Sequence, residues 1–121
     1  MDQDRPEQLI DFTKGLERMK GAEPLLKRLC EVFVRTSPEQ LAELGSALAS
    51  GDILAAQKIA HSIKGGAGTI EASAVHETAY AVELAARNED LDKARALLPD
   101  LEDAVRRTSR IIQERYPDIS A

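Results

Sequence analysis

The sequence predicts an all-α fold, an antiparallel four-helix bundle with a short additional N-terminal helix. Three observations predict it. Ala, Leu, Glu, Lys and Arg dominate, while aromatic residues are scarce, with two Phe, two Tyr and no Trp. Most of these favoured side chains lose little rotamer freedom in a helix. Apolar residues recur at three- and four-residue spacing, and no segment alternates apolar with polar as a strand would. The breaks between periodic segments are short and carry Gly, Pro, Asp or Asn. At 121 residues the chain fits one domain, 1–121, with its core over about 7–115.

The first predicted helix runs from about Glu7 to Met19, with Leu9, Ile10, Phe12, Leu16 and Met19 as its apolar positions. Gly15 interrupts it and Gly21 closes it. The second begins near Glu23-Pro24, where proline is tolerated in a first turn, and carries Leu25, Leu26, Leu29, Val32 and Phe33 to about Arg35. Thr36-Ser37-Pro38-Glu39-Gln40 then reads as a fresh start. Ser37 is placed to cap, Pro38 takes the first helical position, and Gln40 stands where a capping box wants Glu or Gln. Leu41, Leu44, Ala47 and Leu48 form the stripe of that helix, and Gly51 ends it.

Asp52 caps the next helix, which passes through Ile53, Leu54, Ile59 and Ile63 into a glycine-rich stretch. A helix from about Ser73 to Arg87 follows, with Val75, Ala79, Val82 and Ala86 on one face. Asn88-Glu89-Asp90 is a turn, with Asp90 as cap. The last helical stretch spans Leu91 to about Tyr116, and Pro99 inside it is expected to kink or split it.

The totals narrow the function classes. The formal charge is −5 and no basic cluster stands out, so no nucleic-acid partner is expected. Cys30 is the single cysteine; it lies in an apolar stretch and reads as a buried structural thiol. One cysteine and two histidines do not make a familiar zinc site, so no metal is expected. No apolar run approaches the roughly 18–20 residues that span a bilayer. The N-terminus lacks the apolar core of a signal peptide, so a cytoplasmic, non-membrane protein is expected.

The chemistry-bearing segment is Ala60-His61-Ser62-Ile63-Lys64-Gly65-Gly66-Ala67-Gly68-Thr69-Ile70. Each glycine in a helix costs about 0.5–1 kcal/mol relative to alanine, so three around one turn cost up to about 3 kcal/mol. At about 100° per residue, Ile59 and Ile63 turn about 200° away from His61, which therefore faces solvent. Lys64 and Gly65 stand one turn on, Gly68 two turns on and nearly in line, and Gln57 and Lys58 one turn back. A free imidazole has a pKa near ~6.5, so much of it is neutral at pH 7 and nucleophilic toward a phosphoryl group. Lys64 supplies a flexible positive charge, and Gly65 and Gly68 let another molecule come close. A phosphate-cradling loop is a weak competitor, because no strand precedes the segment and the Gly-x-x-x-x-Gly-Lys-Ser/Thr order is absent.

This segment resembles the signature of histidine-containing phosphotransfer (HPt) domains, and it is also similar to the phosphoacceptor domain of chemotaxis histidine kinases. The helix pattern resembles HPt domains over about residues 7–115. The resemblance implies a phosphocarrier in a His–Asp multistep relay. His61 would accept a phosphoryl group on Nε2 and exchange it with an aspartate of a response-regulator receiver domain. It implies no cofactor of the chain's own, with Mg²⁺ belonging to the receiver. It also implies a role for Glu83, twenty-two residues after His61: to accept from Nδ1–H, fix the tautomer and leave Nε2 free. Arg87, one turn further, is implied in phosphate or receiver binding. One departure is Glu71, where the family usually has a glycine that eases the turn between the central helices. His76, with no lysine and glycine set around it, reads as a surface residue.

The expected partner-binding residues are therefore Gln57, Gly65, Gly68 and Arg87, around a reactive set of His61, Lys64 and Glu83. The expected partners are a receiver domain, a sensor histidine kinase, or both, met by a monomer without an ATP site. Two other readings stay open: a receiver-binding adaptor that transfers nothing, and a phosphoacceptor domain excised from a chemotaxis-type kinase.

Overall fold

The computed structural model describes residues 9–120. Among them every regular element is helical: α1 (Phe12–Arg18), α2 (Glu23–Ser50), α3 (Ile53–Thr69), α4 (Ser73–Arg87) and α5 (Leu91–Arg115). Turns of a few residues join α2 to α3, α3 to α4 and α4 to α5, which makes consecutive helices antiparallel. Each of these packs on its chain neighbour, and α2 against α5 closes the ring. The short α1 lies against α2. This is the four-helix bundle with an extra N-terminal helix that the periodicity predicts.

The helix starts follow local chemistry. Asp11, Asp52 and Asp90 each accept a backbone N–H three residues on, satisfying a donor that the first turn leaves unpaired. Gly51, at φ 77°, ends α2 in the left-handed conformation. Of the predicted Glu7–Met19, Glu7 and Gln8 lie outside the described residues, Leu9 is helical, Ile10 and Asp11 break the helix, and α1 runs from Phe12 to Arg18. Gly15 does not interrupt α1. A Cβ there would stand 3.1 Å from Leu26 Cδ1, so this glycine sets how closely α1 approaches α2.

Two proline expectations are corrected. Residues 23–50 form one helix, not two, with Pro38 inside it. Leu26, Cys30, Phe33, Val34, Ser37, Leu44, Ala47 and Leu48 make one buried stripe that runs past the proline. A proline in a helix interior costs about 3 kcal/mol, and burying a single large aliphatic side chain contributes roughly 1.5–3 kcal/mol. Several such side chains depend on the continuous register, so packing prevails. Ser37 is no cap: its hydroxyl is buried and donates to the Phe33 carbonyl at 2.5 Å, as Thr36 does to Val32 at 2.8 Å. Pro99 likewise stays within a single α5, on its exposed face.

The seam between α3 and α4 is built from small residues. Ala56, Ala60 and Ala67 of α3 face inward with Ile63, and Val75, Ala79, Val82 and Ala86 of α4 are buried as their spacing predicts. Ile59, expected in the core, is half-buried; the alanines carry that stripe instead. Cys30 is fully buried, and burial pushes its thiol up to about 12, which keeps it protonated and unreactive. The α3–α4 turn tolerates Glu71 in place of glycine at φ 60°. The Glu71 carbonyl accepts from Asp11 N–H at 3.0 Å, and its carboxylate meets Arg18 at 2.9 Å, so the strained residue also ties down α1.

Candidate functional site

His61 sits midway along α3. Ala60 and Ile63 on either side of it point into the core, which fixes the helix's rotation and turns the imidazole outward. Its side chain is 66% exposed. Across the seam, α4 places Glu83 beneath it, with a carboxylate only 4% exposed. His61 Nδ1 lies 2.9 Å from Glu83 Oε2.

The tautomer follows from the carboxylate. Burial alone would push the Glu83 carboxyl up, but Lys64 and His61 beside it hold it below the usual carboxylate range. An ionised carboxylate only accepts, so Nδ1 carries the hydrogen and donates it. In the neutral ring Nε2 then keeps its lone pair.

Lys64 Nζ is 2.8 Å from Glu83 Oε1, an ion pair by distance without the alignment of a good hydrogen bond. Its side chain is only 20% exposed, and the ammonium also lies 5.0 Å from the centroid of the Tyr80 ring. Arg87, half-exposed one turn beyond Glu83, donates to Oε2 at 3.2 Å, the oxygen that His61 uses. Lys64, Arg87 and the His61 ring thus converge on one buried carboxylate. The predicted trio of His61, Lys64 and Glu83 is together in space, and Arg87 joins it. In the sequence Lys64 reads as a free, flexible positive charge, whereas here it is engaged by Glu83.

Beyond the histidine, Gly65 and Gly66 are exposed, and a Cβ at either would meet nothing within 4 Å. The surface there is open. Gly68 is different: a Cβ would stand 3.2 Å from His76 Cδ2, so this glycine also makes room for a ring from α4. His76 is exposed, as expected. Gln57, one turn before His61, is half-buried, and Lys58 beside it is exposed.

A groove of about 330 Å³ runs between α2 and α3, lined by Leu29, Val32, Phe33 and Gln40 on one side and Ser62 and Gly66 on the other. Leu25 and Val32, two of the apolar residues that the second predicted helix carries, are exposed. Their spacing explains it: Leu26, Cys30 and Phe33 take the buried face, while Leu25, Leu29 and Val32 form a second ridge about 100° away. That doubling of apolar stripes was visible in the sequence and marks an unpaired apolar edge beside the glycines. Among the described residues no His, Cys, Asp and Glu cluster suits a metal ion, and no helix is long and apolar enough to cross a membrane.

Fold and site together define a helical bundle with one oriented histidine held out to solvent. The Hpt domain family matches residues 28–111, and the chain belongs to that family, the phosphocarriers of His–Asp relays. The chain is similar to the crystal structure of histidine-containing phosphotransfer protein B (HptB) from Pseudomonas aeruginosa PAO1. The TM-score is 0.83 and the identity 27%, over 90% of this chain and 95% of that one. No curated protein matches the sequence.

Proposed function

We propose that His61 is the phosphoacceptor of this carrier and exchanges its phosphoryl group with an aspartate of a response-regulator receiver domain. The carrying observation is the 2.9 Å contact from His61 Nδ1 to a buried, ionised Glu83 beneath an otherwise exposed ring. In the forward step the Nε2 lone pair forms an N–P bond, and the O–P bond of the aspartyl phosphate breaks. The electron pair returns to the receiver's carboxylate. The Nδ1 proton stays on the ring, and the positive charge that develops there is met by Glu83. Reversal returns the N–P electrons to Nε2. Such transfers depend on positioning and charge more than on covalent chemistry supplied by the protein.

Gly65 and Gly66 let the receiver's active centre approach Nε2, and the apolar groove beside Gly66 supplies a dry contact for its body. Gln57 and Gly68 bound the same approach, and the outer part of Arg87 adds positive charge beside it. On this reading the carrier is a cytoplasmic monomer that takes its phosphoryl group from a receiver or a sensor kinase and has no ATP site of its own.

The test is incubation with a phosphorylated receiver, followed by detection of acid-labile phosphate on the chain. Wild type is expected to become labelled, and His61→Gln to stay unlabelled while still folded by circular dichroism. Labelling of His61→Gln at the wild-type rate would reject the assignment. Binding of the receiver without any movement of phosphate would favour an adaptor.

A further inference from the structure

Tyr80 stands beside the ion pairs that Glu83 makes. It lies on α4 one turn before Glu83, opposite Lys64, and is 44% exposed. A lysine ammonium is strongly hydrated and sits on a flexible stem, so it stays against a buried carboxylate only when something limits its other choices. Here two groups do. Glu83 Oε1 lies 2.8 Å from Nζ, and the Tyr80 ring face lies 5.0 Å from it. The π face attracts the ammonium. The consequence reaches the histidine because Glu83 has two oxygens with divided duties: Oε1 is held by Lys64, and Oε2 is shared by His61 Nδ1 and Arg87. If Lys64 leaves Oε1, the buried charge must be balanced through Oε2, where Arg87 and His61 compete.

We propose that Tyr80 is a positioning residue for the phosphoacceptor: its ring holds the Lys64 ammonium on Glu83 Oε1 and so keeps Oε2 available to His61 Nδ1. The proposal rests on His61 being the reactive group. Its test separates the ring's effect from a docking effect, since Tyr80 is exposed enough to touch a partner.

Two variants suffice. Tyr80→Phe keeps the π face; Tyr80→Leu keeps apolar bulk and removes it. Uptake is measured first from phosphoramidate, a small donor whose P–N bond breaks with loss of ammonia as Nε2 bonds phosphorus. It is measured next from a phosphorylated receiver. The imidazole ¹⁵N signals of His61 are recorded in the unphosphorylated protein. Tyr80→Leu is expected to slow uptake from phosphoramidate by about two- to tenfold, the scale of a cation–π contact, and to move the ¹⁵N signals away from the Nδ1–H tautomer. Tyr80→Phe is expected to match wild type in both. Wild-type behaviour of Tyr80→Leu with phosphoramidate and in the ¹⁵N signals overturns the proposal. So does slowing with the receiver alone, which makes Tyr80 a docking contact. Equal loss in Tyr80→Phe also overturns it, by assigning the effect to the hydroxyl. Failure of wild type to take up phosphate at His61 defeats the phosphoacceptor reading instead, and the ¹⁵N signals still decide the role of Tyr80.

Discussion

Two carboxylates anchor ionic centres at different places on this bundle, and their surroundings are opposite. Glu83 is buried and meets His61, Lys64 and Arg87 within 3.2 Å. Glu23 is half-exposed and meets Arg115 at 3.1 Å. That guanidinium also lies 4.6 Å from the Phe12 ring centroid and donates from Nε to the Tyr116 hydroxyl at 3.3 Å. Both centres pair opposite charges at similar distances. Water decides what each can do. Around Glu23 solvent and salt screen the pair, and it works as a loose tie between α1, α2 and α5. Around the buried Glu83 carboxylate the side chains of His61, Lys64 and Arg87 answer the charge, so the carboxylate dictates which nitrogen of His61 carries a proton.

The contrast can be broken most sharply at Glu83. Glu83→Ala is expected to lower phosphoryl uptake at His61 by about a hundredfold, the usual scale for misplacing a reacting group. Stopped-flow or gel-based transfer assays measure it, and an unchanged rate would remove the functional half of the contrast. A smaller effect concerns pH. The folded Glu83 carboxyl lies below its ordinary value, so its ion pairs stabilise the fold at neutral pH. That contribution is lost on acidification, as pH falls through the ordinary carboxylate range toward the lower folded value. Glu83→Gln should flatten that part of a plot of Tm against pH; an identical acid limb would show that other carboxylates produce it. The smallest effect belongs to the surface centre. Glu23→Gln should cost no more than about 1 kcal/mol in urea unfolding, and the cost should fade at high salt. A larger loss that survives high salt would erase the distinction between the two centres.

Much of this was legible in the sequence, for reasons that differ by element. The α4 stripe of Val75, Ala79, Val82 and Ala86 was readable because each residue repeats a helical spacing with no competing signal. The outward turn of His61 was readable from Ile63 alone. The break at Ser37-Pro38 was misread because a capping pattern and a mid-helix proline share the same letters. Only the continuity of the packed stripe on α2 distinguishes them. Gly68 looked like part of an open floor, yet His76 arrives from another helix to occupy much of that space. Glu83 could be named through resemblance, but its burial and its capture of Lys64 depend on how α3 and α4 meet. Pairings across a seam leave no mark in either strand of letters taken alone.

His61 stands halfway along α3, a rod of roughly 25 Å, and not at either pole of the barrel. On the proposed reading, a receiver that reaches that nitrogen has about two turns of helix lying fore and aft of the point of contact. Surface changes as distant as Leu54 or Thr69 would then reshape the mooring while leaving the proposed reacting atom untouched, so that a carrier of this form could be adapted to a new visitor without rebuilding its chemistry.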